Sequence, residues 1–520
     1  MSDLTPRRRA AVLASVCLAV FAINLDTTIV NVALPSLARQ LGAGTSTLQW
    51  VVDGYSLAFA ALVLTGGSIG DRFGRRPVLL LGLLGFAISS ALGGVFHDAG
   101  DLVGIRFVMG TFAALIYPTT LSIITNAYPD RKERVRAIGI WGAVTGLGVA
   151  VGPVSGGLLL AHFWYGSVFL ALVPVALIAA AATALTVPES SEPTSARFDL
   201  PGLVASSAAI GLLVYTIIEA PDHGWGSARS VAGFVGTALI AILFVLIERR
   251  REVPMIDVSL FKVPAFSAAS GAVTVTFFAL FGFIFLITQY MQFVRHYGTL
   301  STGVRILPVA VSIAIGSIVG AALAARSGTR AVVVTGLVLF GTALAWIGIS
   351  PAGESYLLIA AQMVVIGIGL GLTSTPATES ILSVLPPAKA GIGSAVNDAT
   401  REAGGALGVA VIGSVFSSVY VHRLTASPVH ALPAKAFDIA RSSVGAAQAV
   451  ASHASSGQAV LQAAVTSSFM SGLHTACAVA AAVCLAGAVA ALRLPGRAKA
   501  SAPEATPQHV YAPCELAPSN

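Results

Sequence analysis

Gly67-Ser-Ile-Gly-Asp-Arg-Phe-Gly-Arg-Arg-Pro77 is the stretch whose reading decides the fold. Apolar runs flank it on both sides, and each is long enough to cross a bilayer. Asp71, Arg72, Arg75 and Arg76 cannot lie in hydrocarbon, so the chain must surface here. Gly74 permits a tight turn, and Pro77 suits the first turn of the helix that follows. Three arginines in so short a loop mark the cytoplasmic side.

Composition agrees with a membrane reading. The 520 residues are 56% hydrophobic and only 10% charged, with mean hydropathy +0.85, whereas soluble proteins average about 25% charged residues. The net charge of +7 does not point to nucleic acid, because the basic residues sit in short loops between apolar segments. Cys17, Cys477, Cys484 and Cys514 form no C-x-x-C, so neither a disulfide framework nor a metal site is expected. Arg7-Arg8-Arg9 precedes an apolar run that continues to Ile29 without a clear small-residue cleavage site, which reads as a retained first helix. Arginine outnumbers lysine 25 to 5 and alanine is abundant, a bias typical of GC-rich bacterial genomes.

A spanning helix takes about 20 mostly apolar residues. On that template fourteen spans are expected, at roughly 10–32, 47–69, 77–96, 102–125, 136–160, 166–187, 199–219, 230–248, 264–292, 303–325, 331–350, 356–381, 397–421 and 469–493. An even number puts both termini on one side. Segments on that side carry 21 Lys and Arg against 7 on the other, which assigns both termini to the cytoplasm of a bacterial inner-membrane protein. Arg72-x-Gly74-x-Arg76 recurs 254 residues later as Arg326-x-Gly328-x-Arg330, and the same offset carries the first span onto the ninth. The expected organisation is a six-helix half at 1–190, a two-helix insertion at 195–255 and a second six-helix half at 260–497. That second half holds a long outer loop at 422–468 with a short surface helix near Ala436 to Val450. Residues 188–198 are a polar linker, and 498–520 read as a disordered cytoplasmic tail. Parallel halves imply a site near the midplane between them.

The charged loop, G-x-x-x-D-R-x-G-R-R, closely resembles the loop between the second and third helices of the major facilitator superfamily of transporters. Leu25-Asp-Thr-Thr-Ile-Val-Asn-Val-Ala-Leu-Pro35 closely resembles the first-helix signature of its fourteen-helix drug:H+ antiporter branch. An ionised Asp at mid-helix costs roughly 2.5–3.5 kcal/mol, so Asp26 is paired, protonated or facing a water-filled cavity. Asp53, in Gln49-Trp50-Val-Val-Asp53-Gly-Tyr55, is similar to the extra acid of quaternary-ammonium efflux pumps, which implies a cationic substrate. Otherwise it is an interfacial acid in water. Arg106-Phe-Val-Met-Gly110 resembles the fourth-helix motif R-x-x-x-G, with Met109 where Gln is usual. That arginine stays charged and acts on the ionisation of a nearby acid.

Gly148-x-x-x-Gly152-Pro153-x-x-Gly156-Gly157 resembles the motif confined to antiporters of the superfamily. Glycines at this spacing let helix backbones approach closely, and Pro153 removes a helical hydrogen bond. Glu379 is either a third cavity acid or an interfacial one. Asp398, Arg401 and Glu402 fall one helical turn apart and read as a cytoplasmic gate or a helix start.

No G-x-x-x-x-G-K-[ST] is present, so no ATP is expected. No metal-ligand motif or sign of an enzyme appears. The resemblance implies an all-α polytopic transporter that exports drugs or lipophilic cations, with one metabolite or self-made antibiotic as the alternative cargo. Its expected partners are a small-molecule substrate, protons and membrane lipid, without cofactor or nucleic acid, in a monomer. Asp26, Asp53, Arg106 and Glu379 would couple protons to substrate. Gly67, Asp71, Arg72, Gly74, Arg75 and Arg76 would latch the cytoplasmic side.

Overall fold

The computed structural model describes residues 5–190, 200–251, 258–384, 390–453 and 457–494. The tail 498–520, most of the linker 188–198 and the side chain of Asp71 lie outside the described residues. Among the described residues fourteen long helices make up the fold. They are α1 (Pro6–Leu41), α2 (Thr45–Phe73), α3 (Arg75–Val95), α4 (Ala99–Ala127), α5 (Arg131–His162), α6 (Ser167–Thr186), α7 (Leu200–His223) and α8 (Ala228–Arg250). They continue as α9 (Pro264–Val294), α10 (Thr299–Ser327), α11 (Thr329–Ile347), α12 (Tyr356–Ser383), α13 (Ala390–Thr425) and α14 (Gln458–Ala491). Among the described residues thirteen of these are long and apolar enough to cross a membrane, and α2 is the remaining one, with 29 residues. The chain is a multi-pass membrane protein.

Several helices outrun their apolar spans, because a helix continues past the hydrocarbon while its backbone bonds remain satisfied. α1 starts on Pro6 at its first position and takes Arg7, Arg8 and Arg9 into its opening turns, then ends at Gly42 in the left-handed region. α13 begins at Ala390, two turns before the expected start at 397, so Asp398 is not at a helix start. The expected outer loop of 422–468 shrinks to 426–457 for the same reason, as α13 and α14 both extend into it. The single surface helix expected there is two, Ala434–Ser442 and Val444–Ser452. Ser443 divides them with an extended backbone and caps the second by accepting from the Ala446 N–H.

The charged stretch at 67–77 is not an open loop either. α2 runs through Asp71 and Arg72, and Gly74 alone separates it from α3. Gly74 holds φ +100°, a conformation that favours glycine. Gly328 makes the same single-residue turn at φ +90° between α10 and α11. Arg76 donates to the Ala184 carbonyl at 2.6 Å, near the end of α6. Its repeat partner Arg330 donates to the Leu494 carbonyl at 2.7 Å, just past the end of α14. The sequence repeat is therefore a structural one, with each half tying its third helix to its sixth.

Pairing within the halves follows the same repeat. α1 packs on α5, α2 on α4 and α3 on α6, matched by α9 on α13, α10 on α12 and α11 on α14. Two crossed contacts, α2 with α13 and α5 with α10, join the halves. α7 lies across the first of these seams, touching both α2 and α13. α8 packs on α7 and is otherwise exposed.

Candidate functional site

The first half contains a buried ion pair. Asp26 projects from the middle of α1, and Arg106 from the second turn of α4. Arg106 Nη1 donates to both carboxylate oxygens of Asp26, at 2.9 and 2.7 Å. Arg106 Nε donates to the Val51 carbonyl of α2 at 2.8 Å. The Tyr55 ring covers the guanidinium, 4.4 Å from its central carbon. Asp26 has no solvent exposure and Arg106 is 2% exposed. Of the three readings open for Asp26, the structure selects pairing. The pair sits among α1, α2 and α4 inside one half, and does not line the seam.

Asp53 is equally enclosed, but among the described residues both its carboxylate oxygens are buried without a hydrogen-bond partner. In this structure Asp53 is enclosed, not set in water at the interface. Helical spacing puts Gln49, Asp53 and Ser56 on one stripe of α2, and that stripe faces α13. Gln49 Nε2 donates to the carbonyls of Val409 at 3.2 Å and Ala410 at 3.0 Å. Ser56, one turn beyond Asp53 on the same stripe, is buried. Asp53 falls on this stripe one turn from Gln49, where α2 and α13 pack together at the seam of the two halves.

Glu402 belongs to the cluster expected on α13. Arg401 Nη1 is 3.7 Å from Asp398 Oδ1, which confirms the one-turn spacing. The Arg401 guanidinium also rests on the Phe277 ring of α9 at 4.5 Å. Tyr117 packs edge-on against Trp141 of α5, whose Nε1 donates to Thr120 Oγ1 at 3.1 Å. α13 itself reaches the first half, touching α2 and α4. Tyr55, which covers the buried pair, stacks on Phe59 one turn further along α2.

Glu379 stands apart. It is exposed one turn from the end of α12 and makes no ion pair among the described residues. The structure therefore does not make Glu379 an enclosed acid.

The α5 glycines serve two neighbours. A Cβ on Gly148 would sit 3.0 Å from both the Asn24 Cβ and the Phe21 carbonyl of α1, and one on Gly156 would sit 2.7 Å from Ile29 Cγ1. Gly152 meets Thr28 in the same row. Gly157 faces α10 instead, where a Cβ would fall 2.7 Å from Leu300 Cα, and Gly303 of α10 lies against the Pro153 carbonyl. In the charged stretch Gly67 has ordinary room, 3.5 Å from Pro118, whereas Gly66 and Gly70 meet α4 closely. Arg75 is buried, with its N–H on the Ser190 carbonyl at 2.9 Å, while Arg72 is exposed beside Phe73.

An apolar cavity lies where the halves meet, among α1, α5, α9 and α10. Thr28, Asn31, Pro153, Leu280, Ile284 and Ile306 are among its lining residues. Asn31 Oδ1 is buried there without a partner.

Comparison with known proteins decides the family. The model of the Major Facilitator Superfamily matches residues 16–409. The chain belongs to the Major Facilitator Superfamily. It is 36% identical over 485 residues to the multidrug efflux pump LfrA of Mycolicibacterium smegmatis, covering 93% of this chain and 96% of that one. It is 32% identical to the tetracenomycin C resistance and export protein of Streptomyces glaucescens, over 92% and 90% of the two chains. Among solved structures it is similar to a bacterial homologue of the human lysosomal transporter Spinster, with TM-score 0.63, 17% identity, and coverage of 94% and 98%. The last likeness shows the fold.

Sequence reasoning missed Gln49, Ser56, Tyr55 and Tyr117. The first two carried a signal, since Gln49, Asp53 and Ser56 recur at helical spacing through an otherwise apolar stretch. The two tyrosines carried none, because each acquires its place only when a second helix packs over it.

Proposed function

We propose that this protein is a proton-coupled antiporter that exports drugs or lipophilic cations across a bacterial cytoplasmic membrane, with both termini in the cytoplasm. The observation that carries the reading is the pairing of two enclosed acids. Asp26 is saturated by Arg106, and Asp53 has no partner at the seam of the halves. An ionised carboxylate without a counter-charge is very costly in a buried site. Asp53 is neutralised either by a proton or by a cationic cargo, and exchange between the two is the elementary step of antiport. The names of the relatives, a multidrug efflux pump and a resistance and export protein, support the direction of transport.

The two halves rock about the seam. In the arrangement seen here they meet closely at the end away from the N-terminus, through Gly157, Gly303 and Gln49. With the termini in the cytoplasm, that closed end is external. Cargo enters from the cytoplasm or the inner leaflet, and protonation from outside releases it. Each proton crossing 100 mV supplies about 2.3 kcal/mol, so neither ATP nor a cofactor is needed and no chemical reaction occurs. The Asp26–Arg106 pair, held next to Tyr55, transmits the charge state of the first half to Glu402 and Arg401. The protein works as a monomer. Asp71 with Arg72, Arg75 and Arg76 latches the cytoplasmic side when the external side opens, and unchanged transport by Asp71→Asn would remove the latch.

Transport into proteoliposomes under an imposed pH gradient tests this reading, with monovalent and divalent lipophilic cations and neutral antibiotics as the panel. Cations should move, and Asp53→Asn should lose the divalent ones selectively. Undiminished gradient-driven transport by Asp26→Asn would sink the coupling role of the buried pair. The similarity to a tetracenomycin C exporter favours a second reading, a dedicated exporter of one compound. That reading holds if a single neutral compound moves and no cation does.

A further inference from the structure

The turn between α7 and α8 carries a polar cluster outside the candidate site. Gly224 takes φ +92° there, and its carbonyl accepts from Ser230 Oγ at 2.9 Å. Trp225 Nε1 donates to Ser418 Oγ of α13 at 3.2 Å. Inside this fixed frame Arg229 points back between the two helices. Its Nη1 meets His223 Nε2 at 2.7 Å, and its Nη2 donates to the Tyr215 hydroxyl. His223 Nδ1 lies 3.1 Å from the Glu219 carbonyl and 3.8 Å from the Glu219 carboxylate. With Nδ1 donating to that carbonyl, Nε2 is free to accept from Arg229. One imidazole ring therefore separates an exposed guanidinium from a half-buried carboxylate. Among the described residues no carboxylate pairs with Arg229. Glu219 meets only His223 and, at 3.5 Å, Ser46 Oγ.

A cavity of about 280 Å³ opens among these groups, lined by Tyr215, Glu219, His223, Arg229 and Ser230. Its depth in the membrane is set by aromatic side chains. Trp50, Tyr215 and Trp225 gather at this end, and Trp and Tyr concentrate at the headgroup level of a bilayer. Directly below, α8 presents Val231, Val235, Leu239 and Ile242 to the outside. That face takes acyl chains. An unpaired guanidinium fits a phosphate, and a nearby carboxylate fits an ammonium group. Both charges occur together in the headgroup of an aminophospholipid.

We propose that the cleft between α7 and α8 binds an aminophospholipid headgroup, its phosphate on Arg229 and Tyr215 and its ammonium on Glu219. A glycerol headgroup offers Glu219 no cation, and a choline headgroup offers it no N–H donor. The site flanks the α2–α13 seam through Ser46 and Ser418, so the two-helix insertion anchors the moving seam to lipid.

Native mass spectrometry of the purified full-length protein tests the site. Phosphatidylethanolamine, phosphatidylglycerol and free phosphoethanolamine would be added in equal amounts. Wild type should retain phosphatidylethanolamine over phosphatidylglycerol by about tenfold, the worth of one charge-assisted contact. Arg229→Ala should lower retention of both lipids. Glu219→Gln should bring the two lipids level, while the surface variant Arg441→Ala changes nothing. Tyr215→Phe, a milder change, should weaken retention of both lipids if Arg229→Ala fails to elute as a folded protein. Equal retention of both lipids by wild type, or indifference to Arg229→Ala and Glu219→Gln, would overturn the proposal. Displacement of the lipid by free phosphoethanolamine at equal concentration would also overturn it, making this a soluble-ligand site. None of these readouts depends on transport.

Discussion

Asp26 and Asp53 lie on neighbouring helices and are both shut off from solvent, yet they occupy opposite electrostatic situations. Asp26 takes two hydrogen bonds from one guanidinium nitrogen, and the rest of that guanidinium is committed to a backbone carbonyl and an aromatic face. Asp53 takes none. Burial alone does not say what an acid does. A paired acid is a fixed part of its half, and removing its partner strands a charge in hydrocarbon. An unpaired acid at a seam is held in place by packing alone, and its charge changes whenever a proton or cation arrives.

The largest expected effect breaks the paired side of this comparison. Arg106→Ala should cost about 3–5 kcal/mol of stability, because it leaves Asp26 uncompensated. Asp26→Asn in the same background should restore part of that loss, as read from thermal melts in detergent. If Arg106→Ala melts like wild type, the pair is not what holds α1 to α4.

Closing the seam comes next. Gly303→Ala should destabilise by about 1–3 kcal/mol, since its Cβ would press on the Pro153 carbonyl and force α5 and α10 apart. Transport should fall with it, while Gly67→Ala, which has room, should not change the melt. A smaller effect sharpens the unpaired side. Asp53→Leu should leave stability unchanged or raise it by about 1 kcal/mol, as no partner is lost, while transport of divalent cations disappears. A loss of stability would mean that Asp53 has a structural partner. The smallest effect belongs to Glu379→Gln, expected within about 0.5 kcal/mol of wild type because the side chain is exposed and unpaired. Its transport of cations should match wild type, and a selective loss would return Glu379 to the site.

Much of the architecture was legible beforehand. Each helix crosses a layer of known thickness, so hydropathy reports it directly. The 254-residue repeat showed the two halves, and Gly74 and Gly328 turned out to make the same turn. Helix ends were less legible, as α1, α13 and α14 show, because a helix persists into water wherever caps and neighbours satisfy its backbone. The acids on α1 and α2 stood out as misplaced charges, but the sequence did not say which of Asp26 and Asp53 has a partner.

By itself the sequence determined an all-helical membrane protein in two related halves, the charged stretch that turns between α2 and α3, and the residues whose charge needs an explanation. These are local properties, set by the free energy of moving each short segment between water and hydrocarbon. Only the tertiary structure decided that Arg106 saturates Asp26, that Asp53 is left bare on the stripe of α2 that faces α13, that Tyr55 covers the Arg106 guanidinium, and that Glu379 is outside. These outcomes depend on which helix faces which. Residues 80 positions apart in the chain meet at 2.7 Å because close-packed helices leave a buried charge few neighbours.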